Sequence, residues 1–167
     1  MNRKINISLK SLSDVESAIN ELENLKKWIS QKSTELNEKL AYVGAYVAST
    51  GFYEGGDETD PPTSVEALKE NDGKVWKIRA SGKAVFFIEF GAGVYYNGSE
   101  PYPEPRPSGV VGIGEYGLGH GKQDAWLFTD DEGKSHYTHG TPATMPMYRA
   151  KQEIKNRLEE IARQVFG

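Results

Sequence analysis

Three histidines and one aspartate in the second half of the sequence are the plausible ligands for a metal ion: His120, Asp124, His136 and His139. Zinc is held by three or four such side chains that converge on one point. His136 and His139 lie three residues apart, so on one strand their side chains would point to opposite faces. Both could bind one ion only if the strand ended between them. We therefore expect surface or loop histidines rather than a zinc or hydrolytic site, and no bound metal or other cofactor.

A second candidate for chemistry is Glu89, which lies inside the apolar run FFIEFG at residues 86–91. A lone charge is costly to bury, so Glu89 must find a cation or amide donors, lie on an exposed edge, or meet a neighbouring chain. A catalytic role would need a second convergent acid or base, and the sequence offers none. We expect a structural or intersubunit role, no enzyme activity, and a Glu89→Ala variant that folds but assembles poorly.

The segment GIGEYG at residues 112–117 matches the dinucleotide-binding pattern G-x-G-x-x-G by letter. That motif works only between a strand and the first turn of a helix. Gly119 and Gly121 follow it here, so no helix can begin. Lys122 does not complete a phosphate-binding P-loop either, because Gln123 stands where a hydroxyl residue is required. The segment is interpreted as part of a flexible loop.

Apolar residues repeat with helical periodicity near both ends of the chain. Apolar residues recur at steps of three, four and seven over residues 14–49, with Ser13 as the expected N-cap and Gly51 as the expected stop. Such a helix would be about 54 Å long, so it should either kink near residues 30–33 or project beyond the body of the domain. A second helix is predicted over residues 145–166, with Pro146 in its first turn.

Short strands are predicted between the two helices. Residues 63–69 and 74–80 flank a turn at 70–73, and residues 124–129 and 134–139 flank a turn at 130–133. Residues 84–90 have the length of a strand, but Ala84, Phe87 and Ile88 also fit one face of a helix, and of the two we expect a short helix. Residues 97–123 contain seven glycines and four prolines and are predicted to form a long flexible loop. The expected fold class is α+β, with both helices packed on a small, mainly antiparallel sheet.

The composition is that of an ordinary globular protein. Of the 167 residues, 37% are hydrophobic and 26% are charged, which suits a single domain over residues 1–167 with one modest core. A net charge of −4 argues against a dedicated nucleic-acid surface. Cysteine is absent, which excludes disulfides. The longest apolar run, residues 84–88, is far shorter than the roughly 18 residues that cross a bilayer, so no membrane contact is expected.

Three stretches, taken in order, resemble the neck or tail-completion proteins of long-tailed bacteriophages, also described as head–tail joining or minor tail components. They are FIEFGAGV at 87–94, the glycine-rich segment 112–122 leading into Trp126, and GTPA at 140–143 followed by MPMYRA at 145–150. The family combines an N-terminal amphipathic helix, a central I/V-E-x-G-T-G element and a Pro-x-Met/Phe-x-x-Ala motif that enters a last helix. Ala92 stands where the family has threonine, while Gly91 and Gly93 keep the backbone turn.

The resemblance implies a structural subunit with no active site that forms a ring, commonly sixfold, at the end of the tail tube facing the head connector. Its partners would be other copies of the chain, the tail tube and the connector proteins. Its location would be the tail or neck of the virion, assembled in the host bacterial cytoplasm. DNA would pass through the lumen without sequence-specific binding, and the acidic segment 54–62 is a candidate lining that would repel it.

An interface between subunits is expected where aromatic residues and glycines cluster, because large aromatic side chains dominate contact energetics. The predicted assembly residues are Glu89, Phe90, Gly91, Gly93, Tyr95, Tyr96 and Trp126. An alternative hypothesis uses the aromatic stretch over residues 86–102 as a sugar-stacking platform. Together with the histidines, it would make the chain a cell-wall or carbohydrate-binding, or hydrolytic, phage protein.

Overall fold

The computed structural model describes residues 11–57, 61–91, 126–130, 132–138 and 144–167. In chain order these form α1 (Leu12–Glu54), β1 (Ser64–Glu70), β2 (Val75–Ser81), α2 (Val85–Phe90), β3 (Trp126–Thr129), β4 (Ser135–Thr138) and α3 (Pro146–Phe166). The strands form two antiparallel pairs, β1–β2 and β3–β4. The predicted α+β class, the two long helices and the short helix α2 are confirmed. The predicted loop over 97–123 lies outside the described residues.

The helix α1 begins at a serine cap two residues earlier than predicted. The Oγ atom of Ser11 accepts a hydrogen bond from the Asp14 backbone N–H at 3.2 Å, which satisfies one free amide of the first turn. Ser13 lies inside that turn, so its assignment as N-cap was wrong. The helix continues without interruption through residues 30–33 and spans 43 residues. The sequence left open a kink near residues 30–33 or a helix that projects beyond the body, and the structure shows no break in the helix at residues 30–33.

The two long helices pack antiparallel, and glycines on α1 allow them to approach closely. Gly44 faces Ile154 of α3, and Gly51 faces Pro146 at the start of α3. A Cβ atom at Gly51 would lie only 2.9 Å from the Cβ of Pro146. The prediction that Gly51 ends the helix was wrong, because this glycine serves close packing and α1 continues to Glu54, where Gly55 caps it.

The hairpin β1–β2 packs one face on α1 and leaves the other face to solvent. Along β2 the exposed and half-buried residues alternate strictly, as expected for a sheet with one face in solvent. Ile78 reaches Gly44 of α1 from the inner face. On the outer face Arg79 pairs with Glu66 across the strands at 3.0 Å. The turn at Asn71–Gly73 is tight, and Gly73 adopts a φ of 87° that favours glycine.

Candidate functional site

The carboxylate of Glu89 lies at the first turn of α3, inside the protein. Its side chain is on α2 and is only 3% exposed. One carboxylate oxygen accepts a hydrogen bond from the Met147 backbone N–H at 2.8 Å, and the other accepts from the Tyr148 N–H at 3.0 Å. Amides in the first turn of a helix have no partner within the helix, and the positive end of the helix dipole favours an anion there. Glu89 therefore caps α3 from a distant part of the chain.

Local sequence explains why α3 needs this distant cap. The residue at the N-cap position is Met145, which adopts a left-handed backbone with φ of 54° and makes no side-chain capping bond. Pro146 follows at the first helical position. A second link joins the same segments, since the Thr144 N–H donates to the Ile88 carbonyl at 2.9 Å. The FIEFG and MPMYRA segments thus meet in one junction, which we call the capping junction (residues 88–89 and 144–148).

Two of the predicted assembly residues are buried within the chain itself. Glu89 is 3% and Phe90 is 7% exposed, and the Phe90 ring stacks on that of Phe86 with centroids 6.3 Å apart. Gly91 directly follows α2 with a φ of 74°. One of the alternatives that the sequence left open for Glu89, amide donors within the chain, is confirmed. An intersubunit role for these three residues stays a prediction.

The other predicted assembly residues give less information. Gly93, Tyr95 and Tyr96 lie outside the described residues. Trp126 opens β3, where its backbone pairs with Thr138 of β4. Their proposed part in an interface stays a prediction.

An exposed aromatic face on α1 is the feature that sequence reasoning missed. Tyr42, Tyr46 and Tyr53 are 57%, 75% and 86% exposed and follow each other at steps of four and seven residues. This spacing places them on one side of the helix, away from the buried side that carries Ala41 and Ala48. The sequence feature that could have found them is their helical spacing on a side of α1 that the apolar stripe does not occupy. We call these three residues the tyrosine face.

The tyrosine face continues onto the sheet through one aromatic contact. The rings of Tyr42 and Trp76 lie with centroids 5.6 Å apart at a tilt of 57°. Trp76 also lines an open cleft of about 350 Å³ between α1 and β2. The cleft is bordered mainly by apolar side chains and contains no carboxylate or histidine: Asn37, Leu40, Ala41, Lys74, Val75, Trp76, Ile78 and Ile154. It offers contact surface rather than acid–base chemistry.

The one candidate metal ligand within the described residues has a partner in its own hairpin. The His136 Nε2 atom lies 2.6 Å from one carboxylate oxygen of Asp130. The other oxygen accepts from the backbone N–H groups of Lys134 at 2.8 Å and Glu132 at 3.0 Å. The pKa of the Asp130 carboxyl is held below its ordinary value, first by the hydrogen bond with His136 and second by the hydrogen bond from the Lys134 amide. This arrangement organises the β3–β4 turn.

The remaining metal candidates are His120, Asp124 and His139, which lie outside the described residues. Within the parts of the chain that the structure describes, no three potential ligands converge on one point. Within the same parts, no helix combines the length and the apolar character needed to span a membrane.

The fold and the two sites define a small α+β protein with a buried capping junction and an exposed aromatic face. No family model, no curated protein and no solved structure matches the chain.

Proposed function

We propose that the chain is a structural subunit of a phage or prophage tail or neck, which assembles with its own copies into a ring that ends the tail tube and joins it to the head connector. The observation that carries the proposal is the tyrosine face. Tyr42, Tyr46 and Tyr53 expose most of their rings on one side of α1. Tyrosine is among the residues that contribute most to protein interfaces, because its ring buries a large area with little loss of side-chain entropy.

A ring repeats one head-to-tail contact until it closes, so each subunit needs two different surfaces. The tyrosine face is one candidate. A second is the outer side of α2, where Phe86 and Phe87 are 50% and 36% exposed. The resemblance of the motif segments to tail-completion proteins supplies the tail context for these contacts.

The capping junction supports the same proposal in a different way. Glu89 joins α2 to the start of α3, and the two motif segments that carry the resemblance meet there. A subunit that must hold its shape in a particle benefits from such a fixed junction, because a rigid surface loses less entropy on assembly.

The test compares two matched variants with the unaltered chain. Tyr46→Asp places a charge at the centre of the tyrosine face, whereas Tyr137→Asp makes the same change at a 69%-exposed tyrosine on β4. We expect the unaltered chain and Tyr137→Asp to form rings in negative-stain micrographs at high concentration and to complete tail tubes. Tyr46→Asp should stay folded by circular dichroism and fail in both assays. A chain that remains monomeric and never joins tails would refute the proposal.

A further inference from the structure

The strand β2 has a free edge. It pairs antiparallel with β1 over its whole length, Val75–Ser81, and among the described residues no strand pairs with its other side. In an antiparallel strand every second residue turns its backbone N–H and C=O groups to the same side, so half of these groups in β2 point away from β1. We call this side of residues 75–81 the β2 edge. Such an edge is the part of a sheet that accepts a further strand.

An open cleft lies along the β2 edge. Its volume of about 350 Å³ falls within the range of protein binding pockets, about 300–1,000 Å³. Residues of β2, α1 and α3 border it, whereas no residue of β1 does, so the cleft lies on the free side of β2. On α3 the apolar wall continues from Ile154 to Leu158, which follows by one helical turn and is 46% exposed. An extended chain added to the β2 edge would therefore enter the cleft.

The β2 edge carries positive charge. On the outer face of β2, Lys77 and Arg79 are 61% and 60% exposed, and Lys74 lines the cleft. The carboxylates that pair with them, Glu70 and Glu66, belong to β1 and lie on the side of β2 away from the cleft. Among the described residues no carboxylate lines the cleft. The edge therefore favours a segment with negative charge.

The two faces of β2 set the residue pattern of such a segment. Successive residues of a strand point to opposite faces of the sheet, and residues opposite each other on neighbouring strands share a face. Trp76 and Ile78 are on the half-buried face and line the cleft, so every second side chain of an added strand would meet apolar surface. The side chains between them would lie beside Lys77 and Arg79. An alternation of apolar and acidic residues satisfies both faces.

We propose that the β2 edge binds an extended segment of a partner protein in which apolar and acidic residues alternate. The segment adds a third strand to the β1–β2 sheet. Its backbone pairs with the free groups of β2, its apolar side chains enter the cleft, and its carboxylates lie beside Lys77 and Arg79. The inference goes beyond the proposed ring and depends neither on self-association nor on the phage context.

Binding is tested with the full-length protein and a capped, fluorescently labelled peptide of alternating valine and glutamate. We expect saturable binding in fluorescence anisotropy, and at least about tenfold weaker binding when lysine replaces glutamate in the peptide. Lys77→Glu should weaken binding of the glutamate peptide by about threefold to tenfold and strengthen binding of the lysine peptide. No binding of the glutamate peptide, or equal binding of the two peptides to the unaltered protein, would overturn the proposal.

The matched control is Lys27→Glu. Lys27 is exposed on α1, about 15 Å along the helix from Asn37, the first residue of α1 that lines the cleft. This variant should bind the glutamate peptide as the unaltered protein does. Both variants should stay folded by circular dichroism, because the pair that Lys77 forms with Glu70 is exposed and contributes little. Equal loss of binding in the two variants would trace the effect to net charge and contradict a site at the β2 edge.

Hydrogen exchange tests the strand pairing itself, because ion pairs alone would not protect backbone amides. The β2 amides that point away from β1 have no acceptor among the described residues of the free protein. With saturating glutamate peptide, every second amide of β2 should exchange at least about tenfold more slowly in NMR spectra. Amides within α1, which are already bonded inside the helix, should not change. Peptide binding without added protection in β2 would refute the addition of a strand.

A second copy of the chain is the competing occupant, and its β1 is poorly suited to the cleft. The inner side chains of β1 already pack on α1 of their own copy, so they cannot also enter the cleft of another. Ser64 and Ser81 face each other in the hairpin, and β1 of one copy paired with β2 of another in that register would bring the same two positions together. The natural chain has no cysteine. We expect a mixture of Ser64→Cys and Ser81→Cys chains to show only background cross-linking under mild oxidation, whereas efficient disulfide-linked dimers would show that a second copy occupies the edge and would overturn the proposal.

Discussion

Glu89 on α2 accepts a hydrogen bond at 2.8 Å from the backbone N–H of Met147, which lies 58 residues later in the chain. The acceptor is a buried carboxylate, and the donor is an amide in the first turn of α3. This bond and its neighbour at Tyr148 hold the last helix against the short helix α2. The cap of α3 therefore depends on a side chain from a distant segment, because Met145 at the N-cap position makes no capping bond of its own.

Removal of this cap should destabilise the folded subunit. Glu89→Ala leaves two helix-terminal amides without an acceptor and should cost about 2–4 kcal/mol. Glu89→Gln keeps one acceptor oxygen for one of the two amides, places its NH2 group against the other, and loses the charge, so it should cost about 1–3 kcal/mol. Urea denaturation at low protein concentration measures both. The sequence alone had suggested a folded Glu89→Ala variant with impaired assembly, and the buried position now favours loss of stability.

An exposed glutamate provides the control for this comparison. Glu66→Ala breaks a surface pair with Arg79 on the outer face of the β1–β2 hairpin and should cost less than about 1 kcal/mol. If Glu89→Ala proved as stable as Glu66→Ala but formed smaller oligomers, the carboxylate would act between subunits and the interpretation of the capping junction would be wrong.

The close approach of α1 and α3 predicts a penalty at Gly51. Alanine is favoured over glycine within a helix by about 1 kcal/mol. At Gly51, however, the new Cβ would lie 2.9 Å from Pro146 Cβ and 3.2 Å from its Cα, and neither atom can move freely. We expect Gly51→Ala to destabilise the protein by about 1–2 kcal/mol in thermal denaturation. Ser49→Ala, on the exposed side of the same helix, should be neutral or slightly stabilising, and equal effects at both sites would contradict this packing.

The β3–β4 turn should depend on pH through Asp130. Hydrogen bonds from His136 and from the turn amides hold the pKa of this carboxyl below its ordinary value of 3.8. A depressed pKa in the folded state means that the stabilisation is complete above the unfolded value and is lost as the pH falls through the folded one. The Lys134 amide proton should therefore shift in NMR spectra with a midpoint below 3.8.

Two variants identify the group responsible for that transition. Asp130→Asn should abolish the shift of the Lys134 amide in this range, because the side chain can no longer titrate. Glu132→Gln removes a neighbouring carboxyl from the same turn and should leave the midpoint unchanged. A transition that survives in Asp130→Asn would show that another group organises the turn.

A buried hydroxyl next to the capping junction offers a route to higher stability. The Thr144 Oγ1 atom is buried and has no hydrogen-bond partner among the described residues. Thr144→Val keeps the branched shape, removes the unsatisfied group, and should raise stability by up to about 1 kcal/mol. Thr34→Val is the matched control, because its hydroxyl donates to the Ser30 carbonyl at 3.1 Å and its loss should not stabilise. Thermal denaturation measures the stability of both variants. If Thr144→Val proved the less stable of the two, the Thr144 hydroxyl would have a hydrogen-bond partner and this prediction would be wrong.

Much of the local structure was predictable because its causes lie within a few residues of one another. Apolar steps of three and four predicted both long helices, and the turn residues at 70–73 predicted the first hairpin, whose turn the structure places at Asn71–Gly73. The bounds of α1 were less accurate. Several serines near its start could serve as a cap, and glycine both ends helices and allows them to pack closely.

The contacts of the candidate sites could not be predicted in this way, because they join residues that are far apart in the sequence. The position of Glu89 in an apolar run, and its need for a partner, could be inferred from the sequence, because an isolated charge is costly to bury. That its partners include the amides of Met147 and Tyr148 is known only from the folded chain, since no rule of spacing links residues 58 and 59 positions apart. Likewise, the tyrosines of α1 are visible in the sequence. Their exposure depends on which sides of the helix α3 and the β1–β2 hairpin cover, and that is a property of the assembled fold.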